Sequence, residues 1–217
     1  MSTYVVRVWI PDRPGALGAV ASRIGSVRGD LVGIDILERG AGLAIDELVV
    51  VLPDDDLVPL LLKEINEVDG VAVEDLHLVP GTGLPDPRLA ALETAALLVQ
   101  LAEPAAVLQA LVEHAAFDFG ATWACVLDDA GTVRAQVGET PPPEWITAFV
   151  AGSRSVAEPQ TGPEDMAWAR LRRSDLDLVL GRPGRPVRAR ERQQLAALGQ
   201  IADVRCAALV GSAVSPT

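Results

Sequence analysis

The stretch that most constrains this chain is Asp12-Arg13-Pro14-Gly15-Ala16-Leu17-Gly18. Before it, the apolar run Tyr4–Ile10 reads with period 2, as a strand does. After it, Leu17, Val20, Ala21 and Ile24 recur at i, i+3, i+4 and i+7, as a helix does. The stretch must therefore turn a strand directly into a helix. Pro14 suits a first helical turn, where a missing N–H costs nothing, and Asp12 and Arg13 sit near the cap. Gly15 and Gly18 remove side chains, so another backbone or a small ligand can come close. The opening of such a helix presents free N–H groups and partial positive charge, which suit an anion. The turn is expected to hold the carboxylate of a small ligand, foremost an amino acid.

The rest of the first third reads in order. The helix runs over Gly15–Val27, with Gly29 expected as a left-handed cap. A strand follows, with Val32, Ile34 and Ile36 on one face. Gly40-Ala41-Gly42 precedes another strand rather than a helix, so it reads as a hairpin turn and not a nucleotide loop. That strand spans about Ala44–Leu52. Asp54, Asp55 and Asp56 cap a helix whose buried stripe is Leu57, Leu60, Leu61, Ile65 and Val68. Successive aspartates do not converge on a metal. A last strand, Val71–Val79, carries His77 on an exposed face. The order β-α-β-β-α-β is the ferredoxin-like arrangement, an antiparallel four-stranded sheet with two helices on one side.

With Asp12-Arg13-Pro14-Gly15-Ala16-Leu17 in its first turn and Gly29-Asp30-Leu31-Val32-Gly33-Ile34 opening its second strand, this region resembles an ACT domain. The resemblance implies a regulatory module that binds an amino acid or similar small molecule at an interface between two copies. By position, the implied contacts are Asp12, Arg13, Pro14, Gly15, Ala16 and Leu17 together with Asp30, Leu31 and Val32. Many relatives place Asn-Ile where this chain has Asp30-Leu31. An acid there suits a ligand's ammonium and disfavours an extra carboxylate.

Pro80–Pro87 is rich in Pro and Gly and reads as a linker. Two helices follow, about Arg88–Leu101 and Pro104–Phe117, the first with Leu89, Leu92, Ala96 and Val99 on one face. Strands Thr122–Leu127 and Thr132–Val137 form a hairpin. A helix over Glu144–Ala151, strands Met166–Leu171 and Leu176–Leu180, and a long helix Ala189–Val210 complete an α+β sandwich. The run Phe119–Gly131, Leu180-Gly181-Arg182-Pro183, and Glu191 with Leu195 resemble a GAF domain, which implies a small-molecule sensor or dimerising module. The expected organisation is an ACT-like domain over residues 1–80, a linker over 81–87, a GAF-like domain over 88–212 and a tail over 213–217.

Length and composition narrow the function. At 217 residues, 49% of them hydrophobic, the chain can build one large core or two small ones. A net charge of −12 is unfavourable for nucleic acid or anionic membranes, and it is spread out, with 14 acids against 6 bases up to residue 80. No 18-residue apolar run or leader-like segment is evident, so a cytoplasmic protein is expected. Cys125 and Cys206 are expected as buried free thiols. Arg182, Arg185, Arg188, Arg190 and Arg192 form the basic cluster, either an acidic partner's contact or an ordinary exposed helix start. The two histidines and the absence of nucleophile, P-loop or zinc motifs give no catalytic residues, no metal site and no cofactor. The expectation is a non-enzymatic, homodimeric amino-acid sensor. The alternative is a dimerising adaptor without ligand, followed by an unrecognised enzyme.

Overall fold

Strand β1 (Ser2–Pro11) realises the first alternation: Tyr4, Val6, Val8 and Ile10 face one way, into a core with helix α1 (Ala16–Ser26). In this computed structural model, which describes residues 1–79, 86–155 and 164–213, the chain divides into two units, Met1–Pro85 and Asp86–Thr217. The expected linker lies largely outside the described residues, as does the tail after Ala213; Asp86 and Pro87 instead start a helix.

The first unit continues with β2 (Asp30–Gly40), β3 (Leu43–Leu52), α2 (Val58–Asn66) and β4 (Ala72–Leu78). The sheet order is β2-β3-β1-β4, antiparallel throughout, which is the ferredoxin-like arrangement. Val20, Ile24, Leu61 and Ile65, all fully buried, seal the helices onto Val6, Val8, Leu48 and Val50. Each such side chain contributes about 1.5–3 kcal/mol by leaving water. Ala41 (φ 51) and Gly42 (φ 79) make the β2–β3 hairpin turn, as the sequence implies.

Two local expectations are corrected. The left-handed residue after α1 is Arg28 (φ 62), not Gly29; Gly29 is small because a Cβ would stand 2.9 Å from the Ile24 side chain. Leu60 is exposed, whereas Leu61 and Ile65 are fully buried and Leu57, Val58 and Val68 pack partly buried against the same core. On β2, Ile34 and Ile36 stand opposite Leu48 and Asp46 and so share a face as expected, although Val32 and Ile34 are exposed on this edge strand and Leu37, at a register irregularity, is buried.

The second unit comprises α3 (Pro87–Gln100), α4 (Pro104–Asp118), β5 (Trp123–Asp128), β6 (Val133–Gly138), α5 (Pro143–Ser155), β7 (Met166–Leu171), β8 (Leu176–Gly181) and α6 (Ala189–Ala213). Its antiparallel sheet has the order β6-β5-β8-β7. Ala124, Val126, Leu178 and Leu180 face a core with α3, α4 and α6, whereas Trp123, Cys125, Leu127 and Val179 face α5. The sheet is thus covered on both sides, and its central strands are apolar without alternation. The expected face of α3 is corrected: Leu89, Leu92 and Val99 are exposed, and the helix buries Thr94 and Leu98 instead. Thr94 is tolerated there because its hydroxyl bonds His114 Nδ1 at 3.0 Å and donates to Asp118 at 3.3 Å.

Candidate functional site

The turn between β1 and α1 is open. Asp12 N–H donates to Gly42 O at 2.9 Å and Arg13 N–H to Pro11 O at 2.8 Å, which folds the chain back on itself. Gly15 is the N-cap, in the left-handed region at φ 88, so Pro14 stands just outside the helix rather than in its first turn. Any side chain at Gly15 would be strained there. No side chain caps α1, and its first turn holds no acid, so the positive end of the helix is uncompensated by its own residues. A Cβ added at Gly15 or Gly18 would meet nothing within 4 Å. Asp12 to Gly15 are exposed, Ala16 is buried and Leu17 is half-buried. Arg13 points along the surface, 3.5 Å from the exposed Asp69.

The other expected contacts are not beside this turn in a single copy. Asp30 pairs with Val51 at the end of the sheet where β1 begins, whereas the turn follows Pro11, which pairs with Leu43 beside Gly40. Asp30, Leu31 and Val32 therefore lie at the opposite end of the sheet from Asp12–Leu17.

Two buried charges in this domain escape a sequence reading. Arg7 is 1% exposed on the face away from the helices, where Glu47 accepts from its Nε at 3.0 Å and its guanidinium at 2.6 Å. Glu74 accepts from Trp9 Nε1 at 3.0 Å on the same face. Asp46 lies on the other face, 4% exposed, and its Oδ1 has no hydrogen-bond partner among the described residues. Burial raises its carboxyl pKa above the usual range, Arg39 opposing and Asp12 adding to the shift. The available signal was a single acid within the apolar alternation Ala44, Asp46, Leu48, Val50, Leu52.

In the second unit, polar groups are mostly consumed internally. Cys125 is buried between sheet and α5, its thiol pushed up to about 12 by desolvation, so it is no nucleophile. Cys206 is buried too, its thiol shifted the same way. A cavity of about 130 Å³ is lined by Asp128, Asp129, Thr147, Arg154 and Asp177, among others. Arg154 and Arg170 both bind Asp129 and the Oδ2 of Asp177, while Asp177 Oδ1 has no hydrogen-bond partner among the described residues. The arginine cluster is also largely structural, since Arg182 is 3% exposed and Arg185 donates to Gly120 O at 2.9 Å. Among the described residues no group of three or more His, Cys, Asp or Glu side chains is placed to hold a metal ion, and no helix is long and apolar enough to cross a membrane.

Comparison with known proteins bears on the first domain. Residues 4–70 match the family model of the ACT domain. No curated protein matches the chain. Among solved structures, the ACT domain from GTP pyrophosphokinase of Chlorobium tepidum is 15% identical, with 36% of this chain and 97% of that one covered at a TM-score of 0.29. An uncharacterized protein from Thermotoga maritima is 20% identical, with 36% and 96% covered at 0.30. A formyltetrahydrofolate deformylase from Pseudomonas putida is 16% identical, with 45% and 37% covered at 0.28. The family match ends before β4 and does not extend into the second unit, so the GAF resemblance gains no support from it. The N-terminal region of the chain, residues 4–70, thus matches the ACT domain family and has the ferredoxin-like arrangement described above.

Proposed function

We propose that this chain is a regulatory small-molecule sensor whose ACT domain binds an amino acid at the β1–α1 turn, between two copies of the chain. One observation carries the reading: the turn is built open, with Gly15 in a left-handed N-cap and free space at both glycines. Ala16 N–H is taken by Arg13 O at 3.3 Å, but a turn serving only to join a strand to a helix gains nothing from leaving the next amides without a side-chain cap. A ligand carboxylate supplies the missing acceptor and complements the helix dipole.

The edge strand β2 supports the proposed dimer. It is a long edge strand of 11 residues with Val32 and Ile34 exposed, a feature that single domains normally blunt. Antiparallel pairing of two β2 strands about their middles puts Asp30–Val32 of one copy beside Glu38–Gly40 of the other. That is the end of the sheet from which the β1–α1 turn rises. The two separated halves of the expected site thereby meet across the interface. Ligand bound there favours one arrangement of the subunits, a population shift limited by its differential affinity. The second domain, read as GAF-like, receives that shift or adds to dimerisation. The proposal includes no catalytic step and places the protein in the cytoplasm. A ligand-free adaptor is the second reading, favoured by the exposed Leu89, Leu92 and Val99 on α3.

A thermal-shift screen of the full chain against the standard amino acids tests the proposal. At a hundredfold excess over the dissociation constant, a binder adds about 2.7 kcal/mol to stability. Gly18→Trp fills the open space beside the first turn without a left-handed backbone to strain, and is expected to abolish the shift while the protein stays folded. A shift by no amino acid, or one untouched by Gly18→Trp, refutes this site.

A further inference from the structure

Asp46 occupies a place in the ACT domain that the turn alone does not explain. Along β3 it shares the helix-facing side with Leu48, Val50 and Leu52, and it stands laterally beside Val8 of β1 and Ile36 of β2. Val8 and Ile10 pack in one cluster with Ala16 and Val20, the first turns of α1. Asp46 therefore flanks the opening of α1 on its β2 side, at the same end of the sheet as the turn. More than nine-tenths of it is buried, and Oδ1 receives no donor among the described residues. Native folds rarely leave such an oxygen bare. The charged groups near enough to act on it, Asp12 and Arg39, are both exposed.

We infer that Asp46 is the ammonium acceptor of this site, and that the ligand is a zwitterionic amino acid rather than a simple carboxylate; this rests on the ligand-binding reading above. The ligand carboxylate takes the amides of Leu17 and Gly18 in the first turn of α1, Ala16 N–H being bonded to Arg13 O. Its ammonium donates to Asp46 Oδ1, the bare acceptor beside them. Asp12 adds negative charge at the mouth, which favours the ammonium and opposes a second carboxylate on the ligand side chain. The pairing joins two features, a helix end without a side-chain acceptor and a buried carboxylate oxygen without a donor among the described residues.

The test is isothermal titration of the full chain with each standard L-amino acid, then with the 2-hydroxy acid corresponding to any that binds. The amino acid is expected to bind at least about tenfold more tightly than its hydroxy analogue, the worth of one charge-assisted hydrogen bond. Asp46→Asn keeps the shape and is expected to erase that preference while leaving the melting temperature unchanged or higher. Equal binding of the two compounds by the natural chain, which needs no variant, overturns the assignment of Asp46 but leaves the turn as a ligand site. So does a preference that survives Asp46→Asn. No binding that Gly18→Trp abolishes overturns the site and this inference with it.

Discussion

Glu191→Ala tests how the second domain holds its last loop. Glu191 is buried at the third position of α6, where its Oε2 accepts from Arg182 at 2.6 Å and from the Arg188 backbone N–H at 2.7 Å. The second bond is half of a capping box, the acid reaching back to the residue before the helix. Arg182 also donates to the carbonyls of Phe119 at 2.8 Å, Arg185 at 2.9 Å and Pro186 at 2.6 Å. Removing one partner of a buried pair costs about 3–5 kcal/mol, because the remaining charge stays uncompensated. Three carbonyls still receive Arg182, so the low end, about 3 kcal/mol, is expected. With a urea slope near 2 kcal/mol/M, the midpoint falls by about 1.5 M. Three of the four tryptophans, Trp123, Trp145 and Trp168, lie in this unit, so fluorescence in a Trp9→Phe background reports on it alone. Glu191→Gln retains a carbonyl acceptor and is expected to lose about half as much. A loss of less than about 1 kcal/mol for Glu191→Ala would show that the loop is held by its own turns and not by this pair.

Two further outcomes follow from the second domain's ionisable groups. Arg170 and Arg154 hold the Asp129 carboxyl below its usual range, and the Thr132 and Ala130 backbone N–H groups do the same for Asp128. Depressed folded-state pKa values give stability that is present above the ordinary aspartate range and lost as pH falls through the depressed values, so Asp129→Asn is expected to flatten the acid limb of the urea midpoint measured from about pH 7 to about pH 3. Cys125 and Cys206, both buried and with raised thiol pKa values, are expected to resist a disulfide-exchange reagent in the folded protein and to react together on denaturation; rapid native reaction of Cys125 would contradict its burial.

What could be read from the residues was whatever local periodicity and turn chemistry determine. The β-α-β-β-α-β order, the Ala41-Gly42 hairpin and the exposed opening of α1 follow from neighbours in sequence, and residues 4–70 bear the ACT pattern. What failed depends on neighbours that sequence does not specify. Leu89, Leu92 and Val99 have helical spacing as good as any buried stripe, yet α3 turns Leu98 and the bonded Thr94 inward, because α4 offers His114 and Asp118 as partners. The arginines between Arg182 and Arg192 look like a surface cluster, whereas Arg182 is consumed by carbonyls that only the folded loop brings together. The candidate site divides in the same way. Asp12–Leu17 is legible because one continuous stretch makes the turn. Asp30–Val32 is not beside it, since one sheet holds these segments at opposite ends, and only the proposed pairing of two β2 strands would bring them together. Asp46 was visible only as one acid interrupting an apolar strand face, and its meaning depends on β3 carrying it to the opening of α1. A helix end left without a side-chain acceptor and a buried carboxylate oxygen left without a donor among the described residues are each a cost to the folded chain. The proposed zwitterion would relieve both, which is why the two features are read together.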